Sequence, residues 1–150
     1  MTKSMAFRVD RSGTIISALI HGGKVCAMDV AWLRREVFAD GQVSREAGDE
    51  LFAVERFSVA KCPEWTEFFA EMITEHIVWQ SRPTGVVNEA QAEWLIARVD
   101  ECMSIGALAA MVNVLSEAHR APQWLLAAVR ARAGKGWPGV NEALQAALAA

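Results

Sequence analysis

The residues of this chain best suited to nucleophilic catalysis are a cysteine and a histidine on one predicted helix. Cys62 precedes Pro63, which is typical of a helix N-terminus, where a thiolate is stabilised. A single helix carrying both Cys62 and His76, at about 1.5 Å per residue, would hold them roughly 20 Å apart. That separation is too large for proton transfer from a thiol to its base. We therefore predict no catalytic residues and no enzyme activity.

The other cysteine and histidine pairings give no stronger signal. Cys102 and His119 fail the same distance test if one helix spans them. An approach of His21 or His119 to Cys62 through the fold stays open, because the sequence does not define it. We expect the cysteines to cap helices or to pack in the interior.

Metal and phosphate sites need ligand spacings that this sequence does not contain. The chain has 3 cysteines, an odd number, and no two are spaced as Cys-x-x-Cys. The segment Gly134-Lys135-Gly136 lacks the spacing and the preceding strand of a phosphate-binding loop. We therefore expect neither a metal nor a cofactor, and no disulfide framework.

Composition restricts the class of protein and of partner. A chain of 150 residues with 53% hydrophobic and 22% charged residues is typical of one globular domain. The net charge of −3 gives no basic footprint, so we expect no nucleic-acid partner. No stretch approaches the roughly 20 apolar residues that a membrane helix needs, so we expect no membrane partner. Together with the unpaired cysteines, these features predict a cytoplasmic protein.

The chain contains an internal repeat that predicts its architecture. Residues 36–53 read EVFADGQVSREAGDELFA and residues 80–97 read QSRPTGVVNEAQAEWLIA. When Gly41 is aligned with Gly85, Val43 meets Val87, and both valines precede an N-cap residue. Each copy is therefore a helix end, a glycine turn, a β-branched residue and a new helix. Because each glycine follows a helix end, we expect positive φ at both.

This arrangement resembles an EF-hand over residues 27–100, with ADGQVS at 39–44 as the nearer match and PTGVVN at 83–88 as the weaker one. The structural turn residues are Asp40, Gly41, Val43, Gly85 and Val87. The resemblance implies that Val43 and Val87 form a small two-stranded contact between the loops.

Neither loop has the residues with which an EF-hand binds calcium. The loop needs oxygen ligands at positions 1, 3, 5 and 12, with Gly at position 6. With Gly41 at position 6, these positions hold Glu36, Phe38, Asp40 and Ala47. With Gly85 there, they hold Gln80, Arg82, Thr84 and Gln91. A phenylalanine and a cation replace acids, so we predict no calcium binding.

Two further resemblances concern bacterial helical proteins. The Asp-Gly-x-β-branched-Ser pattern at 40–44 is similar to TerB-type tellurite-resistance domains. More of the chain resembles an uncharacterised bacterial family built from the same helix-turn unit, on the segments LRREVFADGQVSREAGDELFAVER, WTEFFAEMITEHIVWQ through RPTGVVNEAQAEWLIARV, and VNVLSEAHRAPQWLLAAV. This family implies a fold and assigns no activity.

Helical periodicity runs through the chain from residue 27 onward. Caps and apolar stripes predict helices over 27–38, 44–57, from Pro63 to the turn at Pro83, from Asn88, from Ser104, over 122–133 and over 139–149. We thus predict an all-α helical bundle of about six to seven helices built from two EF-hand-like units, 27–57 and 63–100, with C-terminal helices in 104–150. We expect a flexible N-terminus at 1–13 and a single helical domain over 14–150. Segment 14–20 is compatible with strand or helix.

The C-terminal segment supplies the candidate interaction residues. Trp137 lies in a Gly/Pro-rich break, where it either folds back over the bundle or acts as an interface anchor. Val140, Leu144 and Leu148 form a narrow apolar stripe on a helix too short to be stable alone. We predict that this part mediates association.

Two function hypotheses follow. The first is a non-catalytic protein-interaction or self-associating helical module, with an unknown protein partner or a second copy. The second is a small-molecule-binding or stress-response domain of the TerB-like kind, with a pocket between helices. Thermal stabilisation by a metabolite or oxyanion would favour the second hypothesis.

Overall fold

The computed structural model describes residues 22–134, and this part of the chain is mostly helical, which confirms the predicted all-α class. The helices are α1 (Ala27–Trp32, continued by a π-helical turn at Leu33–Val37), α2 (Arg45–Phe57), α3 (Pro63–Thr74, continued by a π-helical turn at Glu75–Trp79), α4 (Glu89–Cys102), α5 (Ile105–Glu117) and α6 (Gln123–Ala133). Segments 1–13 and 14–20 and the helix predicted over 139–149 lie outside the described residues.

The helix starts follow from capping side chains that the sequence makes recognisable. Ser44, Asn88 and Ser104 each occupy an N-cap, and each side chain accepts a hydrogen bond from the backbone N–H three residues on. Pro63 opens α3 at the first helical position, where a backbone N–H has no partner within the helix, so that its absence in proline costs no hydrogen bond.

The core is centred on α3 and α5, which pack along each other. Trp65, Phe68, Phe69, Ile73 and Ile77 of α3 are fully buried. Helix α5 is apolar on most of its circumference, which is typical of a helix enclosed by others. The remaining helices close around this pair.

Two local features are not evident from the helical periodicity. A parallel two-stranded pair joins β1 (Lys24–Val25) to β2 (Ala60–Lys61), with Lys24 opposite Ala60. The first helix of each repeat also ends in a π-helical turn, closed by the bonds from Phe38 N to Leu33 O and from Gln80 N to Glu75 O. Each repeat is therefore a short strand, a helix with a widened last turn, a loop and a second helix.

The bundle has two distinct ends. We call the first the β end: it holds β1, β2, the N-termini of α1, α3 and α5, and the C-termini of α2 and α4. The opposite, loop end holds the connections 38–44, 80–88 and 118–122. Within the described residues, no helix combines the length and the apolar character needed to cross a membrane.

Candidate functional site

The two repeat glycines have the backbone geometry that the sequence predicts. Gly41 has φ of 72° and Gly85 has φ of 82°. Asp40 supports the first turn, since its Oδ1 accepts a hydrogen bond from Gln42 N at 3.1 Å. Beside Gly85, the imidazole of His119 lies so close that an added Cβ would be 2.5 Å from its Cδ2.

The expected contact between Val43 and Val87 is wrong. Val43 N donates to the Gln80 side chain at 2.8 Å, and Val43 O is bonded to His76 Nδ1 at 2.8 Å. Val87 N instead donates to Arg120 O at 2.9 Å, beside an isolated parallel bridge at Val86. The backbone of the first loop is therefore hydrogen-bonded by the side chains of His76 and Gln80, at the end of α3. The backbone of the second loop is hydrogen-bonded by the connection between α5 and α6.

The residues at the positions of EF-hand calcium ligands pack in the core or form hydrogen bonds in this fold. Phe38 is buried and meets the Phe68 ring edge-on, with centroids 5.7 Å apart. The Gln80 amide binds the first loop, and Gln91 accepts a hydrogen bond from Arg45. Across residues 22–134, no three His, Cys, Asp or Glu side chains converge as a metal site requires.

Titration with Ca²⁺ against EGTA is therefore expected to leave tryptophan fluorescence and the melting temperature unchanged. The physical reason is that Phe38 and Arg82 occupy ligand positions where calcium needs oxygen donors. Mg²⁺ is a suitable control for ionic effects. A saturable response at micromolar Ca²⁺ would contradict this prediction.

A buried polar cluster lies where the first loop meets α3 and α4. The His76 ring packs edge-on against Trp94, with centroids 5.3 Å apart. Because His76 Nδ1 donates to Val43 O, its Nε2 is the acceptor, and Arg45 Nε donates to it at 3.3 Å. Arg45 also lies over the Trp94 ring at 4.5 Å and donates to Gln91. These contacts hold His76 in its neutral form.

Desolvation is the largest influence on the pKa of His76 and lowers it. The hydrogen bond to the Val43 carbonyl opposes this effect in part, the Arg45 guanidinium lowers the pKa further, and the Asp49 and Glu46 carboxylates raise it by smaller amounts. The unfolded chain, with a histidine pKa of 6.5, then binds more protons than the folded chain as the pH falls below that value. The contribution of His76 to stability is therefore complete above pH 6.5 and is lost towards its lower folded pKa.

We expect the wild type to lose more stability than His76→Asn between about pH 7.5 and about pH 5.5. Asparagine retains a donor for Val43 O and does not titrate. Urea unfolding at both pH values measures the difference, and the carboxylates contribute equally to both proteins. Equal losses in the two proteins would show that His76 is not responsible.

None of the three cysteines has the environment of an activated nucleophile. Cys26 caps α1, and its thiol donates to Asp29 Oδ2 at 3.2 Å. Burial raises the pKa of the Cys62 thiol, although Cys62 occupies the N-cap of α3 as expected. Burial also raises the pKa of Cys102 to about 12. The thiols of Cys62 and Cys102 therefore stay protonated near neutral pH.

A buried carboxylate organises the β end. Glu55 is 1% exposed, and its Oε1 accepts the indole N–H of Trp65 at 2.8 Å. Its Oε2 accepts the Ser104 hydroxyl at 2.5 Å and lies 3.4 Å from Lys61 Nζ. An added Cβ at Gly106 would be 2.5 Å from that oxygen, so the glycine leaves room for the carboxylate. Glu55 thus joins α2 to β2, α3 and α5.

Exposed apolar side chains concentrate at the same end. In the described part of the chain, the exposed large hydrophobic residues at the β end are Met28, Phe57, Val59, Met103 and Ile105. Those that lie elsewhere are Trp79, Trp124 and Leu126. The two tryptophans are rim residues whose indole N–H groups donate to Glu117 and Glu89. The β end is therefore the apolar surface of this bundle.

The position of Met103 adds to this picture. It follows α4 with φ of 48°, which makes it the left-handed non-glycine residue of the described chain, and it is 57% exposed. A left-handed conformation costs a residue with a Cβ about 1–2 kcal/mol, and glycine would avoid that cost. A strained, exposed apolar residue is more typical of a binding surface than of a packing position.

Sequence reasoning did not identify these β-end residues. Phe57, Val59 and Met103 read as helix ends or linker residues, and only the assembled fold brings them to one end. The residues that the sequence does indicate for interaction, namely Trp137, Val140, Leu144 and Leu148, lie outside the described residues.

Comparison of the chain with family models, with curated proteins and with solved structures found no match in any of the three.

Proposed function

We propose that this protein is a non-catalytic interaction module that binds a protein partner or a second copy of itself through the β end. The observation that carries the proposal is the concentration of Met28, Phe57, Val59, Met103 and Ile105 at that end. Exposed apolar side chains gathered in one region are characteristic of association surfaces.

The energetic basis is the burial of apolar area on association. Val59 is 85% exposed and Met28 is 80% exposed, so both have nearly all of their surface available to a partner. Full burial of a side chain of this size contributes about 1.5–3 kcal/mol. A few such anchors supply most of the affinity of typical protein interfaces.

The β end is also held rigidly before any partner arrives. The β1–β2 pair fixes the starts of α1 and α3, and the Glu55 hydrogen bonds fix the end of α2 against α5. Preorganisation of this kind reduces the entropy lost on binding. It therefore supports a binding role for this end.

Light scattering on the full chain tests self-association. We would compare the wild type with Met28→Ser/Val59→Ser, and with Leu126→Ser as a matched control that removes an exposed apolar residue elsewhere. A further variant, Leu144→Ser/Leu148→Ser, tests the C-terminal stripe. The proposal expects loss of the oligomer only in the β-end variant, whereas loss only in the C-terminal variant places the interface there.

Partner binding is tested by cross-linking in cells of the source organism. A partner captured by the wild type and by Leu126→Ser, but not by Met28→Ser/Val59→Ser, would support the β end as the interface. A monomeric wild type whose cross-linked proteins are the same for all variants would contradict the proposal.

A further inference from the structure

We propose that Cys26 and Cys62 are a redox modification site, a pair of thiols that organic disulfides of low molecular weight convert reversibly into an internal disulfide bond. The bond joins the start of α1 to the start of α3, beside the β1–β2 pair. Its formation does not depend on a partner at the β end, so the site goes beyond the proposed function.

The strand pairing brings the two cysteines together. In the parallel pair, Val25 lies opposite Lys61. Cys26 and Cys62 are the next residues of the two chain segments, so they continue the same register. The hydrogen-bond ladder reaches this position, because Cys62 N donates to Val25 O at 3.0 Å. The two cysteines are therefore neighbours in the fold, although they are far apart in sequence.

The backbone at this position suits a disulfide bond. Neighbouring strands lie about 4.8 Å apart, and disulfide-bonded cysteines have Cα atoms about 4.4–6.8 Å apart. Both cysteines are extended, with φ of −110° and ψ of 172° at Cys26 and φ of −77° and ψ of 160° at Cys62. Residues in register on paired strands direct their side chains to the same face. A bond between the two sulfurs thus needs rotation of the side chains and little movement of the backbone.

The pair lies on the outer face of the two strands. Successive residues of a strand alternate between its faces, and Val25 is buried whereas Cys26 is exposed. Cys62 is partly exposed. Reagents dissolved in water therefore have access to this pair.

The third cysteine is separate from the pair. Cys102 ends α4, and its thiol donates to Phe52 O at 3.6 Å. Burial raises the pKa of this thiol to about 12, so the reactive thiolate is scarce near neutral pH. Cys102 therefore provides a reference for an unreactive cysteine in the same protein.

Two neighbouring thiols could also belong to a metal site, but the further ligands are missing. A zinc site needs three or four protein ligands that converge on one point. In the part of the chain that the structure describes, no group of three His, Cys, Asp or Glu side chains is placed to hold a metal ion. Oxidation to a disulfide is the chemistry that remains for two such thiols.

Thiol–disulfide exchange forms the bond in two balanced steps. The Cys26 thiol loses its proton to water, and its sulfur attacks one sulfur of an organic disulfide, RSSR. A mixed disulfide forms, and the RS⁻ that leaves takes up a proton. The Cys62 sulfur, after losing its own proton to water, then attacks the Cys26 sulfur and displaces the second RS⁻. The protein thiols lose two electrons in total, and RSSR is reduced to two molecules of RSH.

Exposure determines which thiol reacts first. Cys26 is exposed, so the reagent reaches its sulfur directly. Burial raises the pKa of the Cys62 thiol, which reduces its thiolate fraction and its reactivity towards reagents in solution. The second step is intramolecular, and proximity compensates there for a small thiolate fraction. Cys26 therefore attacks the reagent, and Cys62 resolves the mixed disulfide.

The bond changes the β end in a limited way. In the reduced protein the Cys26 thiol donates to Asp29 Oδ2 at 3.2 Å, and the bond removes this donor. Asp29 Oδ2 still accepts the hydrogen bond from Cys26 N at 2.9 Å, so the start of α1 keeps its cap. The chain between residues 26 and 62 becomes a closed loop, which restricts the unfolded state. Oxidation is therefore expected to stabilise the fold.

Incubation of the full-length protein with glutathione disulfide, followed by acid quenching, alkylation and mass spectrometry, tests the pair. Exchange at thiols that are not activated takes minutes to hours, so a time course is followed. Of the 3 thiols, the wild type is expected to keep only that of Cys102 and to yield a cross-linked peptide containing Cys26 and Cys62. The matched control Cys102→Ser should form the same bond. Cys62→Ser should stop at one glutathione on Cys26, and Cys26→Ser should react far more slowly.

The melting temperature gives an independent readout. Oxidation should raise it by about 5–10 °C in the wild type and in Cys102→Ser, and dithiothreitol should reverse the shift. Glutathione disulfide should leave the melting temperatures of Cys26→Ser and Cys62→Ser unchanged within about 2 °C. Circular dichroism before oxidation shows that each variant is folded.

Several results would overturn the site. Retention of all thiols by the folded protein, or glutathione on both Cys26 and Cys62 without an internal bond, would show that the two sulfurs do not meet. A bond that includes Cys102, or one that forms only in urea, would show that the folded strand register does not direct the pairing. Cross-links only between two copies of the chain would place these cysteines in an intermolecular contact instead.

Discussion

Replacement of Glu55 by alanine is expected to lower the free energy of unfolding by about 3–4 kcal/mol. The carboxylate is 1% exposed and accepts hydrogen bonds from Trp65 and Ser104. Removing it leaves a buried indole N–H without an acceptor and the Lys61 ammonium without its counter-charge. It also leaves a cavity next to Gly106, whose lack of a Cβ makes room for the carboxylate.

Urea unfolding, followed by circular dichroism, measures this effect. Glu55→Gln keeps the shape and an acceptor for Trp65, so it should cost less than Glu55→Ala. Glu93→Ala removes an exposed carboxylate from α4 and should stay within about 0.5 kcal/mol of the wild type. A loss below about 1 kcal/mol for Glu55→Ala would mean that the cluster repacks without its carboxylate.

The same variant connects stability to the proposed function. Glu55 holds the last turn of α2 against the start of α5, and Phe57, Met103 and Ile105 lie on either side of that junction. Loss of the carboxylate is therefore expected to loosen the apolar surface before it unfolds the bundle. Hydrogen exchange at residues 103–106 would report this loosening directly.

The helices were predictable because their signals are local. Ser44 and Asn88 cap helices through their own side chains, and Pro63 marks the start of α3. The α3 stripe that includes Trp65 and Phe69 repeats at helical spacing and is buried as predicted. Positive φ at Gly41 and Gly85 also follows from the neighbouring residues alone.

The β1–β2 pair was not predictable from periodicity. Each strand has two residues, which is too short to show the alternation that identifies a strand. Its partners also lie far apart in sequence, and only the packing of α1 beside α3 brings them together.

The error at Val43 and Val87 has a specific cause. Aligning Gly41 with Gly85 treats the loops as equivalent, yet five residues separate Trp79 from Gly85 where three separate Val37 from Gly41. Side chains then reach the first loop, while the backbone at Arg120 reaches the second. The two glycine turns, although equivalent in sequence, are therefore hydrogen-bonded to different parts of the chain.

The burial of Glu55 had a recognisable signal in the sequence. It follows Leu51 by four positions and Phe52 by three, which places a carboxylate on the apolar stripe of α2. By contrast, Arg56 and Phe57 look like ordinary residues at the end of a helix. Both residues line a shallow groove between α2 and α4, and no local pattern encodes the approach of α4 to this face of α2.

Substitution of Gly85 by alanine is expected to cost more than substitution of Gly41, although both residues are left-handed. Gly41 has open space where a Cβ would point, so Gly41→Ala should cost about 1 kcal/mol, the strain of positive φ alone. At Gly85 the same strain is joined by a contact of 2.5 Å with His119 Cδ2. Overpacking of this kind adds about 1–3 kcal/mol, so Gly85→Ala should cost about 2–4 kcal/mol.

A double-mutant cycle separates the two contributions at Gly85. In a His119→Ala background the steric contact is absent, and the cost of Gly85→Ala should fall to that of Gly41→Ala. The hydrogen bond from His119 N to Gly85 O, 2.7 Å long, belongs to the backbone and is retained in both backgrounds. Urea unfolding of the four proteins in the cycle supplies the coupling energy. The His119 ring meets the Trp79 ring edge-on, with centroids 6.3 Å apart. If Gly85→Ala costs no more than Gly41→Ala in the wild-type background, the imidazole moves aside freely and this contact with Trp79 does not fix the second loop.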